Sequence, residues 1–381
     1  MTFIVTWALM ELSELRTVSP ETMLKIGSSS NDRSWLEKFA NLKYVVQGQI
    51  AQRDAALIFS HSVRDLEAGT EWSLSTAEIP LGRLHDIHHS VVPEIIRHVA
   101  PDLHEILIER ARNRRPDNQK AQELMLNALI AIQSMRPEAL DYAESLLVQA
   151  QKIDPHYATA IALHARVHSL RIGQGWAPDH DLSAREALRL ARKAIQKDPN
   201  NAIALSINGH MLAFLFNELE KATSLFEQAM KVGPNEPLVW LMSAITLAYQ
   251  GRGKEALERA QFGLRLSPRD PLSLLHYSIA GFCAYAAGEY DLAASLTRHA
   301  YAEGKAYSAT IRTLACIYAA QGDVARARHY GQELLSVQPD FPDCYERLIR
   351  IQEPTFRQLS IQHLRTAGII PPQVSKPLAA E

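Results

Sequence analysis

Residues 200–268, NNAIALSINGHMLAFLFNELEKATSLFEQAMKVGPNEPLVWLMSAITLAYQGRGKEALERAQFGLRLSP, hold one pattern twice. A helix-forming run carries a small residue, Gly209 in the first copy and Ala244 in the second. A short turn follows, then a second run carrying Ala222 or Ala256, then Pro234 or Pro268. Outward from this stretch the same punctuation recurs. KIDP ends at Pro155, QKDP at Pro199 and SVQP at Pro339. Successive prolines stand 44, 35, 34 and 71 residues apart. The longest gap accommodates two units, the first lacking its proline. The 44-residue gap accommodates one unit with about ten inserted residues around GQGWAPDHD.

Twelve residues before these five prolines stand Ala143, Ala187, Ala222, Ala256 and Ala327, and Ala293 holds the same place in the unit without a proline. Earlier in each unit a second small residue recurs, at Ala131, Ala165, Gly209, Ala244, Gly281 and Ala315. Small residues allow antiparallel helices to approach within about 8–10 Å. Gly251, Gly288 and Gly322 suit the left-handed conformation that ends a helix. Proline closes the second helix of each pair. A period near 34 with these marks resembles the tetratricopeptide repeat. Trp240, Tyr277, Leu314, Tyr318, Phe226, Ala229, Ala194 and Ala300 fall on further positions of that pattern. The expected fold is mostly α: a tetratricopeptide-type α-solenoid of about six helix pairs, preceded by a small, incomplete α/β domain. A single pair cannot bury its own apolar face, so each must stack on its neighbours.

The expected organisation is a small α/β domain over 1–82, a connecting helix and linker over 83–119 and the superhelix over 120–339. Capping helices over 340–369 and a flexible tail over 370–381 complete it. In the first segment, Phe3 to Leu15 reads as a helix, Leu15 to Ser19 as a short strand, and Asp32 to about Leu42 as a second helix. Tyr44 to Ala51 and Ala55 to Leu66 read as a β-hairpin turning at about QRD, with a further strand from near Thr70.

The segment NLKYVVQGQIAQRDAALIFSHSVRDLEAGTEWS is similar to the α/β segment that precedes tetratricopeptide repeats in two bacterial families. These are class III adenylate cyclases with C-terminal repeats and winged-helix transcription regulators of similar layout. Their block reads roughly RYVLEGSVR…INAQLIDATTGEHLWAERY, and Tyr44, Val45, Gly48, Asp65, Gly69 and Trp72 fall on it. Residues 84–98 resemble the helix that follows, and LRTAGIIP from Leu364 to Pro371 resembles the families' chain end. The resemblance implies a strand before the first helix and an output domain further upstream. Neither is found in these residues, so the resemblance implies a regulatory half without its output domain, and no catalytic residue carries over.

Composition narrows the function. The net charge of −2 gives no global attraction to nucleic acid or anionic membrane. Cys283, Cys316 and Cys344 form no CxxC pair, which fits reduced thiols in a cytoplasmic protein. No apolar run reaches the ~20 residues of a membrane helix, and the opening MTFIVTWALMEL reads as an amphipathic core helix. Arg110, Arg112, Arg114 and Arg115 lack interleaved aromatic residues and read as a solvated helix end, so direct nucleic-acid binding is not expected.

Catalytic and metal chemistry is weakly marked. His85, Asp86, His88 and His89 read as exposed helix residues. His164 and His168, in HARVH, have the spacing of a zinc helix but lack the glutamate of that motif, so they read as helix-surface or groove histidines. Gly173 to Trp176, GQGW, lacks the lysine of a phosphate loop and reads as an insertion, with Trp176 folding onto the paired helices. No catalytic residue, cofactor or metal is expected, and the chain is not expected to be an enzyme.

What remains is the inner curve. By position in the repeat, its lining includes Arg166, His210, Met242, Phe282, Tyr285 and Arg312, each equally readable as a packing residue between repeats. Aromatic and cationic anchors of this kind often dominate binding energy. The expected function is a non-catalytic module that binds a protein or peptide in a concave groove. The alternative is the sensory half of a signalling protein, a cyclase or DNA-binding regulator. An unfilled sheet position in residues 1–82 is a candidate for self-association.

Overall fold

In a computed structural model, the chain is described over residues 44–66, 69–74, 76–80, 119–266, 273–304 and 307–371, with residues 17, 91 and 95 in addition. The helices and strand expected between residues 3 and 42, the helix over 84–98, the arginine-rich segment and the tail beyond Pro371 lie outside these residues.

Twelve helices form six consecutive antiparallel pairs. They are α1 (Gln119–Gln133) with α2 (Pro137–Ile153), α3 (Ala158–Gly173) with α4 (His180–Lys197), and α5 (Ala202–Phe214) with α6 (Leu219–Val232). Then come α7 (Pro237–Tyr249) with α8 (Gly253–Leu266), α9 (Ser273–Ala286) with α10 (Tyr290–Glu303), and α11 (Ser308–Ala320) with α12 (Val324–Val337). The first helix of each pair packs on the first helix of the next, and each second helix packs on the following first helix. This is the tetratricopeptide-type α-solenoid that the repeat implies.

The small-residue positions explain the close approach. Ala143, Ala187, Ala222, Ala256, Ala293 and Ala327 are fully buried. A Cβ on Gly209 would come within 3.1 Å of the Phe226 ring and 3.3 Å of the Ala222 carbonyl oxygen. On Gly281 it would run into the Thr297 side chain. The turns within the last three pairs carry Gly251, Gly288 and Gly322 at φ +79°. The third pair has no glycine at its turn, and Asn217 takes the left-handed conformation there at φ +57°. Asparagine tolerates this region better than most residues because its short polar side chain can bond locally. The repeat's aromatic position is anchored as well, since Trp240 Nε1 donates to the carbonyl oxygen of Pro234 at 2.8 Å.

The inner curve is tightly wound. Gln174, after α3, accepts a 3.4 Å hydrogen bond from the Ser308 N–H at the start of α11. Gly175 lies against the side chain of Gln338, just after α12. The insertion expected around GQGW thus bridges the second pair to the sixth, and Trp176 packs on the α1–α3 core. The concave inner face expected from the repeat is therefore wound tightly enough for its second and sixth pairs to touch. A bare 34-residue period does not reveal this, because the ten extra residues that make the contact belong to one unit.

Two further helices, α13 (Phe341–Leu348) and α14 (Pro354–Thr366), end the described chain. α14 packs on α11 and α12 as a next first helix would. Glu353 caps it, accepting from the N–H groups of Thr355 at 3.0 Å and Phe356 at 2.6 Å. The intervening strap also returns toward earlier repeats. Gln352 donates its N–H to the Tyr249 carbonyl oxygen at 2.8 Å and its side-chain amide to the Asn217 carbonyl oxygen at 3.0 Å.

The N-terminal sheet contains β1 (Tyr44–Arg53), β2 (Ala56–Asp65), β3 (Glu71–Ser73) and β4 (Ala77–Pro80), all antiparallel. The hairpin forms, but its turn is Asp54–Ala55 rather than QRD, with Asp54 at φ +53°. β3 and β4 pair with opposite ends of β2, and β4 was not anticipated from the sequence.

Replacing Gly281 with Val should lower the unfolding free energy by about 1–3 kcal/mol through overpacking. Gly288→Asn, with open space at its Cβ, should cost about 1 kcal/mol or less. Urea denaturation of both variants checks the contrast.

Candidate functional site

The inner helices α3, α5, α7, α9 and α11 all line one space of about 850 Å³, part of it open to solvent. The helical period places each contributor. Arg166 and Leu170 come from α3, Ile207 and His210 from α5, Met242 and Tyr249 from α7. Ile279 from α9 and Arg312 from α11 complete the circuit, and Gln174 and Tyr307 line it from the adjoining loops. A second, also partly open, chamber of about 680 Å³ shares Ile245, Tyr249, Ile279, Tyr307 and Arg312 with the first and adds Phe282, Tyr285 and Cys316. Leu348 stands at both, and Ile349 to Ile351 wall the second.

The six residues expected to line the groove do gather around this interior, but unequally. Arg166, His210, Met242 and Arg312 border the larger chamber. Arg166 is 6% exposed and Met242 9%, so they are deep wall residues rather than surface anchors. Phe282 and Tyr285 lie under α14, the last of the described helices. The Phe356 ring centroid is 6.2 Å from that of Phe282 and 5.5 Å from that of Tyr285. Tyr285 Oη and His363 Nδ1 are 2.7 Å apart, and Ser360 Oγ accepts from the same hydroxyl at 3.4 Å. At 3% exposure, Tyr285 is covered by α14. Its repeat position gave no sign of this, since the cover comes from residues some 70 positions later.

The chamber walls are electrically one-sided. Arg166 and Arg312 border the larger space, Arg312 and Arg350 the smaller, and no aspartate or glutamate is among the described lining residues of either. The Arg312 guanidinium lies over the Phe341 ring at 5.4 Å, a cation–π contact that fixes its direction. Burial, reinforced by the Arg166 charge, lowers the His210 pKa to about 4. Its ring stacks on Phe214 at 5.4 Å, and Nδ1 is buried without a hydrogen-bond partner. Burial pushes the Cys316 thiol up to about 12 and Cys283 higher still, which disfavours a thiolate nucleophile at either position.

A separate polar cluster joins α2 to α3. His164 Nε2 lies 3.1 Å from Glu144 Oε1, and His168 Nε2 lies 3.7 Å from the same oxygen. Arg171 donates from Nη1 to Glu144 Oε2 and from Nη2 to Asp141, both at 2.6 Å. The hydrogen bond with His164, assisted by Arg171 and opposed by burial, lowers the Glu144 pKa to about 2. Burial also favours the neutral form of His168. The expectation of plain helix-surface or groove histidines is corrected here. The carboxylate missing from the local motif arrives from α2, 20 residues before His164. Among the described residues, this is the one group of three metal-ligating side chains whose donor atoms converge.

No protein-family model matches the chain, and no curated protein matches it. Similar solved structures include PilW, a widely conserved type IV pilus biogenesis factor, at 18% identity and TM-score 0.41, covering 58% of this chain and 95% of that one. PilF of Pseudomonas aeruginosa is 20% identical, with TM-score 0.39 and coverage of 58% and 93%. A tetratricopeptide repeat protein from Parabacteroides merdae is 14% identical, with TM-score 0.40 and coverage of 72% and 98%. Among the described residues, no helix is long and apolar enough to cross a membrane.

The His210 shift sets a pH dependence. The unfolded histidine, with a pKa near 6.5, binds its proton before the folded one does, so stability falls as pH drops from about 6.5 toward 4. Replacing His210 with Phe should flatten that part of the pH–stability curve, measured by urea midpoints. Glu144 acts lower. Its folded pKa is depressed, so its contribution is present above the unfolded value and is lost as pH falls toward about 2. Glu144→Gln should remove this acid limb.

Proposed function

We propose that the chain is a non-catalytic interaction module that takes an acidic segment of a protein partner on its inner face. One observation carries the reading: the larger chamber is bounded by Arg166 and Arg312 with apolar and aromatic walls, and its described lining has no carboxylate. Apolar walls with a few oriented polar groups are the general make-up of a ligand site. On this reading Arg166 and Arg312 receive the acidic groups, and His210 and Met242 contact the peptide body. Phe282 and Tyr285 become available only where α14 is displaced. Self-association is a further part of the proposal. β1 pairs with β2, no other described strand pairs with β1, and residues 47–53 are exposed. An unpaired strand edge is a template for a second strand.

The signalling reading has narrower support. The strands over Tyr44–Arg53 and Ala56–Asp65 lie where the cyclase and winged-helix resemblance implies an α/β segment. An in-frame cyclase or winged-helix sequence upstream in the DNA would favour it, and an unrelated upstream gene would count against it.

Peptides selected from an acidic display library against the full chain provide the direct test of groove binding. Arg312→Ala should weaken the selected peptides by about tenfold or more in calorimetry. Phe356→Ala, which loosens the tail over Phe282 and Tyr285, should strengthen them. Equal binding by wild type, Arg312→Ala and Met242→Ala would sink the reading.

A further inference from the structure

We propose that Glu144, His164 and His168 form a binding site for a divalent transition-metal ion of the zinc type. The argument begins with the helix period. His164 and His168 stand four residues apart on α3 and therefore on one face. Their rings stack with centroids 5.3 Å apart and an interplanar angle of 25°. Both Nε2 atoms address one oxygen, Glu144 Oε1, at 3.1 and 3.7 Å. The three donor atoms lie within 4.8 Å of one another. Ligands held about 2.0–2.1 Å from a tetrahedral zinc stand roughly 3.3 Å apart. Two edges of the triangle, at 3.1 and 3.7 Å, are within about 0.4 Å of that spacing, and the third is no longer than 4.8 Å.

The surroundings suit a cation. Arg171 holds Glu144 by Oε2, which leaves Oε1 toward the histidines. Its positive charge is shared with Asp141, so the two carboxylates and one guanidinium leave one net negative charge beside two imidazoles. The side chains of His164, His168 and Glu144 are 10%, 13% and 30% exposed. The carboxylate end is thus the wet side, where an ion can enter and water can complete its coordination. Two nitrogens with one oxygen favour zinc, nickel or cobalt over calcium or magnesium, which prefer all-oxygen shells.

A ligating histidine needs an outer hydrogen-bond partner. The Gln151 amide stands 3.1 Å from His164 Nδ1. Where His164 carries its proton on Nε2, metal binding transfers it to Nδ1, and the Gln151 amide turns to present its oxygen, giving up its 3.1 Å hydrogen bond to the Leu147 carbonyl. The ion then clips the second helix of one repeat to the first helix of the next, a structural role that adds stability by linkage.

Calorimetric titration of the chelator-stripped full chain with zinc chloride tests the site. One equivalent should bind, with a rise in melting temperature. That equivalent should vanish in Glu144→Gln and in His168→Ala, each checked for folding by circular dichroism. Gln151→Leu should retain it with about tenfold weaker affinity. His85→Ala/His89→Ala, which alters the other histidine cluster, should leave it intact. Cobalt(II) bound to the wild-type chain should give the intense visible absorption of a tetrahedral site, a readout independent of whether the variants fold. An absence of zinc binding by the wild type, or equal binding by folded Glu144→Gln and His168→Ala, would overturn the proposal.

Discussion

The structure depends on one constraint: a helix pair of this sequence can hide its apolar face only against the next pair. The amphipathic second helices show the asymmetry. α4 buries Ala184, Ala187, Leu190, Ala191 and Ala194, while most of its remaining surface carries charge. The first helices are enclosed more fully. α7 buries 11 of its 13 residues because helices flank it on both sides and the interior lies before it. Alanine and glycine at the crossing points make this possible. A larger side chain at Gly209 or Gly281 would separate the helices and expose the surface that stabilises them.

Stacking gives the curve, and two local additions tie distant parts of it together. The residues after α3 reach the sixth pair, where Gln174 meets the backbone of Ser308. The strap after α13 binds the carbonyl oxygens of Tyr249 and Asn217. Both contacts satisfy backbone polar groups at the ends of helices, where such groups lack intrahelical partners. Burial on the inner face explains why His210 on α5 and Cys316 on α11 have their charged forms suppressed.

Polar chemistry is divided between two places. Arginines face the interior, where a low local dielectric strengthens attraction to an anion. The α2–α3 junction instead combines carboxylates, imidazoles and one guanidinium in a partly wet cleft. Exposed ion pairs elsewhere, such as Arg252 with Glu255 or Arg326 with Asp323, are local i,i+3 contacts that contribute little beyond helix propensity. The junction differs because its members come from two repeats and brace one another.

The sequence by itself determined the repeat. Proline spacing, the small-residue positions and the glycine turns located six helix pairs, and the alternation around Tyr44 to Asp65 located a hairpin. These features were legible because helix periodicity, strand alternation and backbone conformation are local properties. It also identified Arg166, His210, Met242 and Arg312 as inward residues, since position within a repeat fixes which way a side chain points. Only the tertiary structure decided that the second pair meets the sixth, that residues 352–363 cover Phe282 and Tyr285, and that Glu144 meets His164 and His168. Each of those outcomes joins groups far apart in the chain, and no local preference encodes which distant partner the winding of the helices will bring into reach.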